Sequence, residues 1–112
     1  MKKTYMLKKN YEFKKTFVNG KYFTGEYIEA FCIKNNSNNN YLGIAISSKI
    51  GKAVKRNRIK RYIREGYRKS EETLKIGNTV VFLWKKKKNA KNVKYFEIEE
   101  DIKTILKKAQ IL

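Results

Sequence analysis

GKAVKRNRIKRYIREGYRK, residues 51–69, contains every arginine of the chain: Arg56, Arg58, Arg61, Arg64 and Arg68. All other basic residues are lysines. From about residue 54 to 70 the stretch has a helical pattern. At about 100° per residue, Ile59, Tyr62, Ile63 and Gly66 fall on one side. Asn57, Arg61, Arg64 and Arg68 form a stripe on the opposite side, with Lys60 flanking it. One side therefore packs, and the other presents planar guanidiniums and an amide. A guanidinium forks a phosphate through two N–H bonds and stacks on bases, whereas an ammonium is a point charge. Glu65, the one acid of the stretch, is within helical reach of neighbouring bases. A merely solvated basic face is the alternative. The segregated arginines, the stripe and the glycine loop before it favour RNA or DNA.

Composition narrows the partner. The 112 residues carry 28 Lys and Arg against 10 Asp and Glu, a formal net charge of +18, with 41% hydrophobic residues. That apolar content supports a folded core, here expected to be a single domain over residues 1–112. So large a charge repels itself and calls for a polyanion: nucleic acid, an acidic membrane surface or an acidic protein. No apolar run approaches the ~20 residues that span a bilayer, and the opening MKKTYMLKKNYEF lacks the apolar centre of a secretory signal. Cys32 stands alone in an apolar alternating run, so a buried thiol in a reducing compartment is expected.

Catalytic groups are scarce. There is no histidine, hence no Cys/His cluster for zinc, and no phosphate loop of the GxxxxGK[ST] type. Glu97, Glu99, Glu100 and Asp101 could bind Mg²⁺ as an acidic cluster. They also open a predicted helix, where carboxylates favour the positive dipole end, and that second reading is preferred. The chain reads as a binder.

The remaining pattern predicts a helix over 10–19, capped by Asn10 and stopped by a left-handed Gly20. Strands are expected over 26–34 and 41–47, paired as a hairpin across the flexible tract NNSNNN, with a further short strand near 21–24. In the first of these, Ile28, Ala30 and Cys32 point one way, and Tyr27, Glu29, Phe31 and Ile33 the other. Residues 79–84 form an apolar strand buried on both faces. KKKKNAKN, 85–92, reads as a solvated loop, and 97–109 as an amphipathic helix. The order is that of an α+β sandwich. Phe13 and Phe17 share one helix face, which by spacing alone favours core. Beside a basic groove, the same rings and Phe31 would form a stacking platform for unpaired nucleotides.

KIGKAVKRNRIKRYIRE, 49–65, closely resembles the RNR signature of the bacterial ribonuclease P protein subunit. NYEFKKTFVNG is similar to that family's opening helix. YLGIAISSKIGKAV is similar to the strand and loop before the signature, and GNTVVFLWK stands where the next strand is expected. The resemblance covers nearly the whole chain. It implies an α-β-β-β-α-β-α sandwich like ribosomal protein S5 domain 2, with a left-handed βαβ crossover against the general right-handed rule.

The resemblance also implies a role in a holoenzyme that removes the 5′ leader from precursor tRNA. Its Mg²⁺-dependent catalytic site lies in the RNA subunit, with metals held mainly by RNA phosphates. The partners are then the catalytic RNA and precursor tRNA, in the cytoplasm, with no membrane or small-molecule substrate. By position, Arg56 and Arg58, with Lys49, Lys52 and Lys55, would face the catalytic RNA. Phe13, Phe17, Phe31, Asn57, Lys60, Arg61 and Arg64 would line one leader cleft, and Arg68 extends the basic face. The chain departs from the family pattern at Ser48–Lys49, where two lysines are common, and at Trp84–Lys85, where an arginine often ends the strand. The rival readings are a structural RNA-binding protein of ribosomal type and a self-sufficient nuclease built on Glu97–Asp101.

Overall fold

The structure, a computed structural model, describes residues 4–86, 88–90 and 92–112. Five strands form one sheet: β1 (Thr4–Met6), β2 (Lys21–Thr24), β3 (Ile28–Lys34), β4 (Asn40–Ala45) and β5 (Asn78–Trp84). Three helices flank it: α1 (Asn10–Asn19), α2 (Ala53–Ser70) and α3 (Tyr95–Lys108). The spatial order is β1-β4-β5-β3-β2. β4 is parallel to β1 and to β5, whereas β3 is antiparallel to β5 and to β2. The molecule is thus an α+β sandwich with a mixed sheet. β1 is an added edge strand that three residues are too short to signal. β4, α2 and β5 form the βαβ unit of the expected crossover.

The expected β3–β4 hairpin does not form, because β5 lies between the two strands. Val80 and Phe82 of β5 join Ile28, Ala30 and Cys32 of β3 in a core with Ile59, Ile63, Ile98, Ile102 and Leu106 of the helices. Val81, on the opposite face, is also fully buried. A strand apolar on both faces needs neighbours on both sides and cover above and below. The centre of the sheet meets that need and a sheet edge does not.

Several local expectations shift. Lys9, not Asn10, precedes the first helical residue of α1. Gly20 is extended, at φ −81°, rather than left-handed. It is a site of close approach instead: a Cβ there would lie 2.5 Å from the Thr16 carbonyl oxygen. The NNSNNN tract is not a free loop. Asn35 Nδ2 donates to the Asn39 carbonyl and to Thr79 Oγ1, both at 3.1 Å, and the Ser37 hydroxyl donates to the Asn39 carbonyl at 3.0 Å. The stretch 85–92 is partly packed: Ala90 is buried, and the Trp84 indole N–H donates to the Lys88 carbonyl at 2.8 Å. Lys87 and Lys91 of that stretch lie outside the described residues. α3 begins two residues early, with the Glu97 carboxylate accepting the Lys94 N–H at 3.1 Å.

Burial settles Cys32 as a core thiol, its pKa pushed up to about 12 by desolvation. Tyr67 is buried beside it and hydrogen-bonds Thr4 Oγ1 at 2.9 Å, which ties β1 to α2.

Asp101 does more than complement a helix dipole. Its buried carboxylate accepts the backbone N–H groups of Glu26, Tyr27 and Ile28 at 2.9, 2.6 and 3.1 Å. The turn entering β3 is thereby fastened to α3. A Cβ on Gly25 would sit 2.7 Å from the Asp101 carboxyl carbon. Asp101→Ala leaves those donors without their acceptor and is expected to cost about 3 kcal/mol in urea unfolding. Gly25→Ala should also destabilise, while Glu100→Ala, on the exposed side of α3, should change stability by less than ~0.5 kcal/mol.

Candidate nucleic-acid interface

α2 turns its basic stripe outward. Ile59, Ile63, Gly66, Tyr67 and Ser70 are buried, while Asn57, Arg61, Arg64 and Arg68 are exposed on the far side. Among the described residues, no carboxylate lies within ion-pair distance of Arg61 or Arg64. Arg68 is bound to Glu65 at 2.7 Å, and this contact holds the Glu65 carboxyl below its ordinary range. The pair is exposed, so it adds little to stability. The Arg61 guanidinium also lies 5.8 Å from the Tyr62 ring centroid, within cation–π reach.

The flanks of α2 differ. Arg56, Lys60 and Arg64 follow one another at four-residue spacing on the side of Tyr67, toward β1. Arg58 and Tyr62 follow the other flank, toward α3, where Tyr62 meets the Tyr95 ring at 5.7 Å. Arg56 and Arg58 are therefore roughly 200° apart around the helix and do not share a face. Arg56 is turned back, donating from Nη1 to the Gly51 carbonyl at 2.7 Å. Lys55 is half-buried, and Lys49 and Lys52 are exposed on the segment between β4 and α2. Ser47 Oγ shapes that segment by accepting the Lys49 N–H at 3.2 Å.

The rings form a second cluster. Phe13 and Phe17 lie 6.4 Å apart, and Phe17 meets Phe31 edge-on at 5.4 Å. All three are half-buried. Phe13 rests on bare strand backbone: a Cβ on Gly43 would come within 2.7 Å of its ring. Sequence reasoning missed Tyr22, 51% exposed and 5.4 Å from Phe31. The β2–β3 register, which pairs Tyr22 with Phe31, places it there. The Tyr22 hydroxyl donates to Glu29 at 2.5 Å, which raises the Tyr22 pKa and gives Glu29 a partner at the rim of the apolar face.

The stripe and the rings do not share one channel. α2 packs on the sheet face carrying Ile28, Ala30 and Cys32. Phe31 alternates to the other face, where α1 lies. Asn57, Lys60, Arg61 and Arg64 are thus separated from Phe13, Phe17 and Phe31 by the sheet. Residues 46–52 connect the two sides, leaving the carboxyl end of β4 next to that of β5, where Lys85 follows. Of the departures from the family pattern, Ser48 is exposed on this connector. Trp84, 4% exposed, packs against Tyr27 at 5.8 Å and faces the core.

The acids of α3 do not fit a Mg²⁺ site. Glu97 accepts from the Tyr27 hydroxyl at 2.6 Å, Glu99 pairs with Lys69 at 3.2 Å, and Asp101 is committed to three backbone N–H groups. Among the described residues, no group of three or more potential ligands could hold a metal ion. Among the same residues, no helix is long and apolar enough to cross a membrane.

A family model described as Ribonuclease P matches residues 1–110. The chain is 39% identical over 107 residues to the ribonuclease P protein component of Clostridium kluyveri, covering 94% of each. It is 36% identical over 106 residues to that of Clostridioides difficile, covering 94% of this chain and 91% of the relative. The solved RNase P protein of Staphylococcus aureus matches with a TM-score of 0.85 at 27% identity over 96% of both chains. That of Thermotoga maritima matches with a TM-score of 0.83 at 29% identity, over 93% of this chain and 96% of that one. The likeness takes in the sheet and its flanking helices as well as the arginine stretch, and the chain belongs to the ribonuclease P protein family.

Proposed function

We propose that this chain, as the protein component of ribonuclease P, holds two RNAs on two different faces. The ribonucleoprotein processes the 5′ leaders of precursor tRNA, and its catalytic activity resides in the RNA subunit. Mg²⁺ belongs to that chemistry; the commitments of the α3 acids favour RNA phosphates over this chain as its main ligands. The cytoplasm, where precursor tRNA is processed, suits a chain whose one thiol is buried and unpaired.

The carrying observation is the separation itself: half-buried rings on one face of the sheet, and on the other an exposed stripe in which Arg61 and Arg64 have no acid partner among the described residues. A single-stranded leader would stack on Phe13, Phe17, Phe31 and Tyr22, with its phosphates running toward Lys49, Lys52 and Lys85. Structured catalytic RNA would meet Asn57, Arg58, Arg61, Arg64 and Arg68 along the outside of α2, with Lys55, Arg56 and Lys60 beside them. Only a precursor offers an unpaired leader to the rings, so this face would supply preference for precursor over mature tRNA. A general RNA-packaging role gives no reason for such a preference.

In the holoenzyme, Phe17→Ala is expected to weaken precursor binding by about tenfold, the worth of one lost stacked base, and to leave mature tRNA binding within about twofold. Equilibrium binding of the two tRNAs at fixed salt reads both numbers; equal losses would remove the leader face. Arg58→Ala and Arg61→Ala should instead weaken assembly with the catalytic RNA in titrations of the two subunits. If Arg61→Ala lowered precursor affinity as selectively as Phe17→Ala, the two-face arrangement would be wrong. The purified chain without the RNA subunit is expected to leave precursor tRNA intact.

A further inference from the structure

A second ring pair stands at the β1 edge of the sheet. Tyr5 of β1 and Tyr41 of β4 are direct parallel partners, with centroids 6.0 Å apart and planes inclined by 38°. Tyr41 precedes Gly43 by two residues, so both tyrosines share the sheet face over which Phe13 lies. α1 crosses above Gly43. The tyrosines are on the amino-end side of that crossing along β4, and the connector carrying Lys49 and Lys52 leaves from the carboxyl end. The pair is therefore distinct from the phenylalanine surface.

Tyr5 is 56% exposed. With Thr4, Met6, Lys8, Asn39 and Tyr41 it lines an open depression of about 560 Å³, within the ~300–1,000 Å³ usual for ligand sites. Its walls are ordered. Thr4 is held by Tyr67, and the Asn39 backbone is held by Asn35 and Ser37. A cross-strand ring pair helps to hold an edge strand, but that role does not use the outer face of Tyr5. No acid is among the lining residues, and Lys8 is exposed at the rim. Flat aromatic faces next to an ammonium, on a chain of net charge +18, match a base and its phosphate better than an uncharged ring or a basic surface.

We propose that Tyr5 and Tyr41 form a stacking site for an unpaired nucleobase of an RNA strand, with Lys8 meeting the adjacent phosphate. The site extends the RNA-binding reading but uses none of the residues assigned above, so each can fail alone. The base could come from the outlying part of a long leader or from a looped-out position of the catalytic RNA.

The test uses the full chain and a labelled single-stranded oligoadenylate, with an abasic strand of equal length as control. Tyr5→Thr keeps a strand-forming residue and should lose about tenfold on the adenylate and little on the abasic strand. Tyr5→Phe should bind like the unaltered chain. Thermal unfolding of the variants checks that the fold is retained. In the holoenzyme, a Tyr5→Thr defect confined to precursors with long leaders identifies the leader as the source. A defect confined to subunit assembly identifies the catalytic RNA. Unchanged adenylate binding by Tyr5→Thr, or an equal loss on the abasic strand, overturns the proposal, as does an altered oligomeric state with no change in RNA affinity.

Discussion

β5 is apolar on both of its faces, and the architecture follows from that need for double cover. Val80 and Phe82 demand a layer beneath the sheet, and α2 and α3 provide it with Ile59, Ile63, Ile98, Ile102 and Leu106. Val81 demands a layer above, and α1 is the helix available there. A ten-residue helix is about 15 Å long, whereas five strands span roughly 19 Å across and 15–20 Å along. α1 moves from Gly43 of β4 at Phe13 to Phe31 of β3 at Phe17, crossing β5 between them. It seals the centre of that face and leaves the sheet open on either side. Half-buried rings are the direct result: packed enough to be fixed in place, exposed enough to stack on something else.

The lower layer has the opposite character. α2 buries Ile59, Ile63, Gly66 and Tyr67 on one side and leaves Asn57, Arg61, Arg64 and Arg68 exposed on the other. Arginine suits that position, because its charge persists and its plane can bind phosphate through two N–H bonds or stack. Lysines spread over the rest of the surface supply a general field that draws polyanions in and costs stability through self-repulsion. A polyanion bound on either face would relieve that cost, with a steep dependence on salt if it is a nucleic acid. The two layers thus offer different chemistry, rings above and guanidiniums below, on one rigid sheet.

The elements were legible to different depths. α2 was plain because eighteen residues hold one period, and its exposed stripe was correctly placed from spacing alone. β3 was read with the right faces, since Ile28, Ala30 and Cys32 alternate cleanly with Phe31. β1 was not visible, as three residues carry no period. Gly20 suggested a left-handed stop by residue type; the need it answers is closeness to the Thr16 carbonyl, which depends on the chain's path. Asp101 looked like a helix-start acid among four, and only the fold brings the turn at 26–28 to its carboxylate. Tyr22 could join the ring cluster only once β2 was registered against β3.

What the sequence determined by itself was local and periodic. It set the lengths of the helices, the side of α2 that is buried, the two-sided apolarity of β5, the absence of histidine chemistry and, through the signature at 49–65, the family. Which strands become neighbours and which side chains face one another across the sheet belonged to the tertiary structure. Strand pairing is a choice among non-local partners of similar local pattern, settled by burying the most apolar strand at the centre. That choice inserted β5 between β3 and β4 and put the rings and the arginine stripe on opposite faces. No spacing within either segment could have revealed it, because the sheet that separates them is built from residues distant in the chain.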